Sequence, residues 1–440
     1  MRGVFLDRQL RVLVISHTFP PLAEVGTIRV TQLCRYLPEC GVEPIVLSAQ
    51  ERSYEIQDYT RELPAGLRVL RAPSIPTPLD WYRTAKRWPS SSHGSPVARG
   101  IPTEPGFLRR NFKALLQIPD RYWGWYLPAI QLAKRLLRHE KIDAIFSSGP
   151  PWTSHLVARR LKKQFGLPWL ADFRDPWAIA QPDGVNAEWP LRWAKSMEES
   201  CIRSSDLVLG NTERLTVELQ RRYPDLEGAK FRTLTNGFDD LGIPPRRQPG
   251  SRKLLLHLGS LYAHRRVDTF LMALADLVNT GRLPPESFEV LFQGETDSSY
   301  LADAARLVPQ LMQNGCIKFN PRIPWKEARS LLWKADVLLL FQGSHALQVP
   351  AKFYECLQTG VPILAVSEEG ALTDVMRQTQ AGVWARPGDP REIGIKLLQA
   401  LEQPARNPDD VRGQFASRYN YQNLARELSR WMLEVCAVSG

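Results

Sequence analysis

The chain has 440 residues, 43% of them hydrophobic and 23% charged, the balance of a globular protein long enough for two domains and an ample core. Mean hydropathy is −0.28 and no apolar run nears the roughly 20 residues of a membrane-spanning helix, while residues 1–10 (MRGVFLDRQL) are too polar for the core of a secretion signal, so an integral membrane or secreted protein is not expected. The net charge of +11 is uneven: residues 1–205 hold 29 Lys+Arg against 19 Asp+Glu, and the remainder is nearly neutral, which points to a polyanionic partner for the first half.

An apolar run at 11–15 ends in His17-Thr18-Phe19-Pro20-Pro21, followed by a helical pattern over 28–37 and a second strand at 44–47. Strand, loop, helix, strand opens a parallel α/β sheet. The alternation resumes with strands at 144–146, 169–171 and 207–209 and helices over 154–165, 191–203 and 213–222. Between them, 73–119 is rich in Pro, Ser, Arg and Trp without a clear period, and reads as a long insertion. It carries Arg83, Lys86, Arg87, Arg99, Arg109, Arg110 and Lys113 against Asp80 and Glu104.

The Pro/Gly/Arg stretch 242–252 reads as a linker. After it come strands at 254–258, 288–292, 317–319, 337–341 and 361–365, with helices over 267–278, 301–312, 326–334 and 351–359. The expected architecture is α/β, with two Rossmann-like domains facing each other across a cleft: residues 1–241, then 242–418. A last helix over 419–440 is expected to pack back on the first domain. Such an arrangement places a ligand between the domains, at the carboxyl ends of both sheets.

No P-loop, G-x-G or G-x-S-x-G occurs, which argues against a P-loop ATPase, a fingerprint-bearing NAD enzyme or a Ser hydrolase of that type. The six cysteines form no C-x-x-C pair and the seven histidines no H-x-x-x-H. That fits a reducing cytoplasm and argues against a disulfide framework or a metal site. Asp239-Asp240 reads better as a turn at the hinge than as a metal-binding pair.

Two loops of the second half offer anion sites. Gly259-Ser260 ends a strand and precedes Arg265 and Arg266, so backbone N–H groups and a guanidinium converge there; the plainer alternative is a turn glycine with solvated arginines. Pro350-Ala351-Lys352 opens a helix with proline at its first position, leaving N–H groups unpaired beside an ammonium. Glu355, one turn on, suits a ribose diol; the alternative is an ordinary cap with a Lys/Glu pair. In the first half, Asp172, Arg174 and Asp175 follow a strand end facing the cleft, either as acceptor-side groups or as a structural carboxylate–guanidinium network. His155 follows another strand end and reads more simply as a helix N-terminal histidine without a catalytic part. The aromatic loop 120–126 suits sugar stacking or a membrane interface.

Taken in order, these loops resemble the GT-B glycosyltransferases of the family 4 type. Ala335-Asp336-Val337-Leu338-Leu339-Leu340 and 350–365 (PAKFYECLQTGVPILA) match the donor-domain pattern. Phe19-Pro20-Pro21 with Gly26 and Arg29 resembles the N-terminal glycine loop, and 172–177 (DFRDPW) resembles the signature of a polysaccharide-biosynthesis subgroup. Asn236-Gly237-Phe238-Asp239 matches the NGxD before the linker.

The resemblance implies a metal-independent, retaining sugar transfer, of hexosyltransferase type, from a nucleotide-diphosphate donor to a glycan or lipid-linked acceptor, in cell-surface polysaccharide biosynthesis. It needs no cofactor beyond the nucleotide-sugar co-substrate, expected to be a UDP-sugar. Gly259, Ser260, Arg265 and Lys352 would hold the diphosphate, Glu355 the ribose, and the loop with Arg322 and Ile323 the base. Gly26 would join the donor site, with Asp172, Arg174 and Asp175 on the acceptor side and Arg265 and Lys352 assisting the chemistry. The family's E-x7-E keeps its second glutamate here but has Leu347 in place of the first, which touches the donor sugar. The expected location is the cytoplasm, peripheral on the inner face of the cell membrane. No nucleic acid is expected. The alternatives are a non-hydrolysing sugar-nucleotide epimerase and a non-catalytic basic protein binding nucleic acid or acidic polysaccharide.

Overall fold

The computed structural model describes residues 9–24, 26–54, 56–60, 62–77, 118–178, 188–239, 252–261, 267–343 and 345–439. Two parallel sheets organise them. The first contains β1 (Leu10–Ile15), β2 (Val42–Ala49), β3 (Arg68–Ala72), β4 (Ala144–Gly149), β5 (Trp169–Phe173), β6 (Leu207–Gly210) and β7 (Phe231–Thr233), in the order β3-β2-β1-β4-β5-β6-β7. The second contains β8 (Lys253–Leu258), β9 (Phe288–Gln293), β10 (Ile317–Asn320), β11 (Val337–Phe341), β12 (Ile363–Val366) and β13 (Gly382–Ala385), in the order β10-β9-β8-β11-β12-β13. Strands such as β1 and β11 are nearly continuous apolar runs because helices cover both faces of each sheet, so alternation with polar residues would bury the polar ones.

Strand order reverses between β1 and β4 in the first sheet and between β8 and β11 in the second. Helices leave the sheet in opposite directions at such a point, and a crevice opens at the carboxyl ends of the strands. The loops after β1, β4, β8 and β11 therefore border the cleft.

The chain passes between the domains beside Phe238, whose N–H donates to Tyr419 O at 2.8 Å and whose carbonyl accepts from Tyr421 N at 3.0 Å. Helix Tyr421–Ser439 then lies on helix Gly26–Tyr36 and completes the first domain's core, where Leu424, Leu428, Trp431 and Met432 join Val30, Leu33 and Leu37. The linker expected at 242–252 and the basic stretch Arg83–Lys113 lie outside the described residues, Arg252 excepted.

Several elements differ from the sequence-based expectation. The helix expected over 301–312 is two, Ser298–Leu307 and Pro309–Gln313, because Pro309 cannot donate to the preceding turn. Strands β3, β7 and β13 were not anticipated: they are short, lie toward the sheet edges, and carry arginines, a glycine or a tryptophan in place of an aliphatic run. No described helix is long and apolar enough to cross a membrane.

Two histidines lie inside the first domain. His155 Nδ1 pairs with the Ser147 hydroxyl at 2.8 Å, and its ring packs against Phe173 at 4.6 Å. His17 packs against Tyr122 at 4.2 Å, and neither of its ring nitrogens has a hydrogen-bond partner among the described residues. Burial pushes both down to about 3, with Arg121 adding to the effect on His17 and Arg174 to that on His155, where Asp172 opposes it. His155 is thus a core histidine. Because the unfolded chain takes up these protons near pH 6.5 and the native state does not, their contribution is intact above that pH. It declines as the pH falls toward 3, by up to about 1.4 kcal/mol per pH unit for each ring. His17→Phe is expected to flatten the pH dependence of urea-unfolding free energy between pH 6 and 4 by about that slope; an unchanged slope would mean that His17 titrates normally in the folded protein.

Candidate active site

The cleft holds two contiguous cavities that share Glu24, Gly26, Phe341, Pro350 and Ala351. The first, of about 460 Å³, brings Gly26, Gly259, Ser260, Arg322, Ile323, Lys352 and Glu355 together from sequence positions more than 300 apart. Gly259 follows β8 with φ 138°, a region that favours glycine, and a Cβ there would overlap the Lys352 ammonium. Lys352 Nζ donates to Leu258 O at 2.5 Å, which fixes the cation above the strand-end backbone. Pro350 is the cap of helix Ala351–Leu357 and not its first residue, one position earlier in role than expected. Lys352 is thereby the second helical residue and Glu355 the fifth, one turn apart on the cavity wall.

The loop after β10 is held by Gln293, whose side-chain amide donates to Pro321 O. Arg322 reaches across the cleft to donate to the carbonyl of Ala23, and both residues line the first cavity. Arg265 lies outside the described residues.

The second cavity, of about 490 Å³, faces the first domain. Arg174 and Asp175 line it. Arg174 donates to the carbonyl of Gly26, and a Cβ on Gly26 would run into that guanidinium. Burial lowers the Arg174 pKa, against the pull of Asp175 and Asp172, and burial raises that of Asp175, against Arg174 and Gln348. Asp172 departs from the expectation. It is fully buried and lines neither cavity; its oxygens accept from Arg29 Nη2 at 2.7 Å, Arg29 Nε at 3.0 Å and the Ser148 hydroxyl at 2.7 Å. With its acceptor sites occupied, Asp172 is a structural carboxylate.

The aromatic loop is divided in the same way. Trp125 is wholly inside the core, Tyr122 lines the second cavity, and Trp123 is 39% exposed. Asp120 accepts from the N–H and hydroxyl of Thr153 at 2.7 and 2.9 Å and so anchors this loop to the start of helix Thr153–Phe165.

The residues missed by sequence reasoning are Gln342, His345 and Gln348 on the loop after β11, and Glu24 after β1. Gln348 donates to Asp175 Oδ1 at 2.7 Å across the cleft. Position was the available signal, since both loops follow strands at a point of reversed order, but the motif match after β11 began only at Pro350. Among the described residues, no three His, Cys, Asp or Glu side chains gather as metal ligands.

The chain matches two family models in series: glycosyl transferase 4-like domain over 26–237 and glycosyl transferases group 1 over 252–403. A search of curated proteins gives no match. Solved structures share the whole architecture at low identity. Sucrose-phosphate synthase (tll1590) from Thermosynechococcus elongatus has a TM-score of 0.67 and 16% identity, over 98% of this chain and 100% of the other. Anabaena Alr3699/HepE in complex with UDP and glucose has 0.65 and 13%, over 97% and 100%. WaaG, a glycosyltransferase involved in lipopolysaccharide biosynthesis, has 0.61 and 15%, over 96% and 99%. These likenesses show the fold, and the two family models, covering one domain each, supply the activity. The chain is a glycosyltransferase of the GT-B fold, a glycosyl transferase 4-like domain followed by a group 1 domain.

Proposed function

We propose that the enzyme moves a hexose from a UDP-sugar to a glycan or lipid-linked acceptor, without a metal ion and with retention, in the assembly of a cell-surface polysaccharide. The observation that carries this reading is the convergence of Gly259, Ser260, Lys352 and Glu355 on one cavity. Departure of a nucleoside diphosphate leaves negative charge on phosphate and positive charge on the anomeric carbon. A fixed ammonium and strand-end N–H groups stabilise the former without reorganising during the reaction. Glu355 supplies the acceptor oxygens that a ribose diol needs, and the loop with Arg322 and Ile323 flanks the base. Arg265, one residue of the expected diphosphate set, would join them.

The engagement of the nearby carboxylates supports the reading of retention. Asp120, Asp172 and Asp175 each accept hydrogen bonds from protein groups, and Glu24 lies 3.7 Å from Arg121. On this reading the departing phosphate oxygen takes the acceptor's proton, on the same face of the sugar. A lipid-linked acceptor would be met at the membrane, for which Trp123, just before the basic helix Tyr126–His139, and Leu127, in its first turn, offer apolar surface, 39% and 60% exposed. The wild type is expected to float with anionic vesicles at low salt and to release at high salt; equal, poor flotation with neutral and anionic vesicles would exclude docking.

The test of the donor site is direct. UDP is expected to raise the melting temperature more than GDP, ADP or dTDP. Lys352→Ala should lower kcat/KM by ~10²–10³, the scale of a lost charge interaction in a transition state. Glu355→Gln should weaken UDP binding by at most about 1.5–3 kcal/mol per bond lost. Unchanged kcat/KM in the first variant and unchanged calorimetric affinity in the second would remove both residues from the site.

A further inference from the structure

A third cavity of about 410 Å³ opens from the first domain and is lined by Glu24, Arg52, Ser53, Ser74, Arg121 and Tyr122, among others. It is continuous with the cleft, because Glu24 borders all three cavities and Tyr122 borders both this groove and the second cavity. The groove therefore leads outward from the place where donor and acceptor meet.

Its charged groups are unequally engaged. Arg121 lies 4.6 Å over the Tyr122 ring, donates to the Tyr122 hydroxyl and stands 3.7 Å from Glu24. Tyr122 is itself set against His17, and its backbone N–H donates to Asp120 at 2.8 Å. The Arg121 guanidinium is thus held in place before any ligand arrives, and little side-chain entropy remains to be lost on binding. Arg52, by contrast, is exposed and has no hydrogen bond or ion pair among the described residues. Two guanidinium groups face one carboxylate here, and the serine hydroxyls add neutral donors.

We propose that this groove is the subsite for an acidic sugar residue of the acceptor, one that carries a carboxylate or a phosphate. The inference rests on the glycosyl-transfer reading of the cleft and specifies its acceptor. A guanidinium fork matches either oxyanion in two parallel hydrogen bonds, and a neutral saccharide would leave Arg52 without that partner. The position of Glu24 adds orientation. Its negative charge at the mouth of the cleft repels an acidic group from the reaction centre, while Arg52 attracts that group to the outer end. The acidic residue is held outside and a neutral hydroxyl is presented inside.

Three probes of one shape separate the possibilities: methyl β-glucoside, methyl β-glucuronide and methyl β-glucoside 6-phosphate, titrated into the full chain at low ionic strength and followed by NMR. At least one acidic probe is expected to bind ten-fold or more tightly than the neutral glucoside; which one does so identifies carboxylate or phosphate as the recognised group. Arg52→Glu should abolish that preference and Arg52→Gln should reduce it, and neither change at an exposed position should disturb the fold. Equal affinity for all three probes in the wild type, or a preference that survives Arg52→Glu, would overturn the proposal. UDP is titrated separately into the wild type, so a failure of the donor reading appears as absent nucleotide binding, whatever the probes do.

Discussion

The ion pair between Arg29 and Asp172 organises the cleft side of the first domain. Arg29 stands on the helix that follows the glycine loop, and its Nε and Nη2 hold both carboxylate oxygens of Asp172 at the end of β5. The same guanidinium donates to Leu234 O at 2.6 Å and to Thr235 O beyond β7, and approaches Asn211 after β6. One side chain therefore ties the helix to the ends of three strands. Burying two charges costs several kcal/mol for each ion, and the pair persists because its donors and acceptors are satisfied. Loss of either partner would strand the other in the core, at a cost of about 3–5 kcal/mol.

That anchorage fixes one wall of the cleft, and Gly259 and Lys352 set the other. The two walls are joined directly by Gln348 with Asp175, by Thr212 Oγ1 with Leu347 O at 2.7 Å, and by Arg214 with Asp374 at 2.8 Å. On the opposite side, Lys326 meets Glu62 at 2.7 Å. The last two pairs are partly exposed and contribute little each. The contacts made by Gln348 and Thr212 lie deeper and involve neutral donors, so they hold the domains together with less sensitivity to salt.

The donor wall was legible in the sequence because its chemistry is local. Gly259-Ser260 and Pro350–Glu355 are short segments whose conformational needs leave marks: a glycine where a cation passes close, and a proline ahead of a helix. The acceptor wall was less legible, since its residues acquire meaning only through distant partners. Asp172 and Asp175 are three apart and look equivalent in sequence, yet Arg29 takes one into the core while the other lines the cleft. Trp123 and Trp125 differ in the same way. The first lies toward solvent, and the second fills the core beneath the loop. The alternation of strands and helices was readable wherever aliphatic runs were long, and failed at β3, β7 and β13, whose pairing comes from neighbours and not from their own pattern.

The position of Leu347 shows how one residue is fitted to the closed arrangement of the two domains. In the family pattern this site holds a glutamate that touches the donor sugar. Here the Leu347 side chain packs against the hydrophobic core of the first domain while its carbonyl accepts from Thr212. A carboxylate in that contact would lose its hydration without gaining a cation, so an apolar residue is the one compatible with this closed arrangement. The loop offers the cavity Gln342, His345 and Gln348 instead. The Gln342 amide donates to the carbonyls of His345 and Gln348, at 3.0 and 2.9 Å, and Gln348 in turn donates to Asp175, so the two amides brace this loop against the first domain in place of a carboxylate, which could only accept.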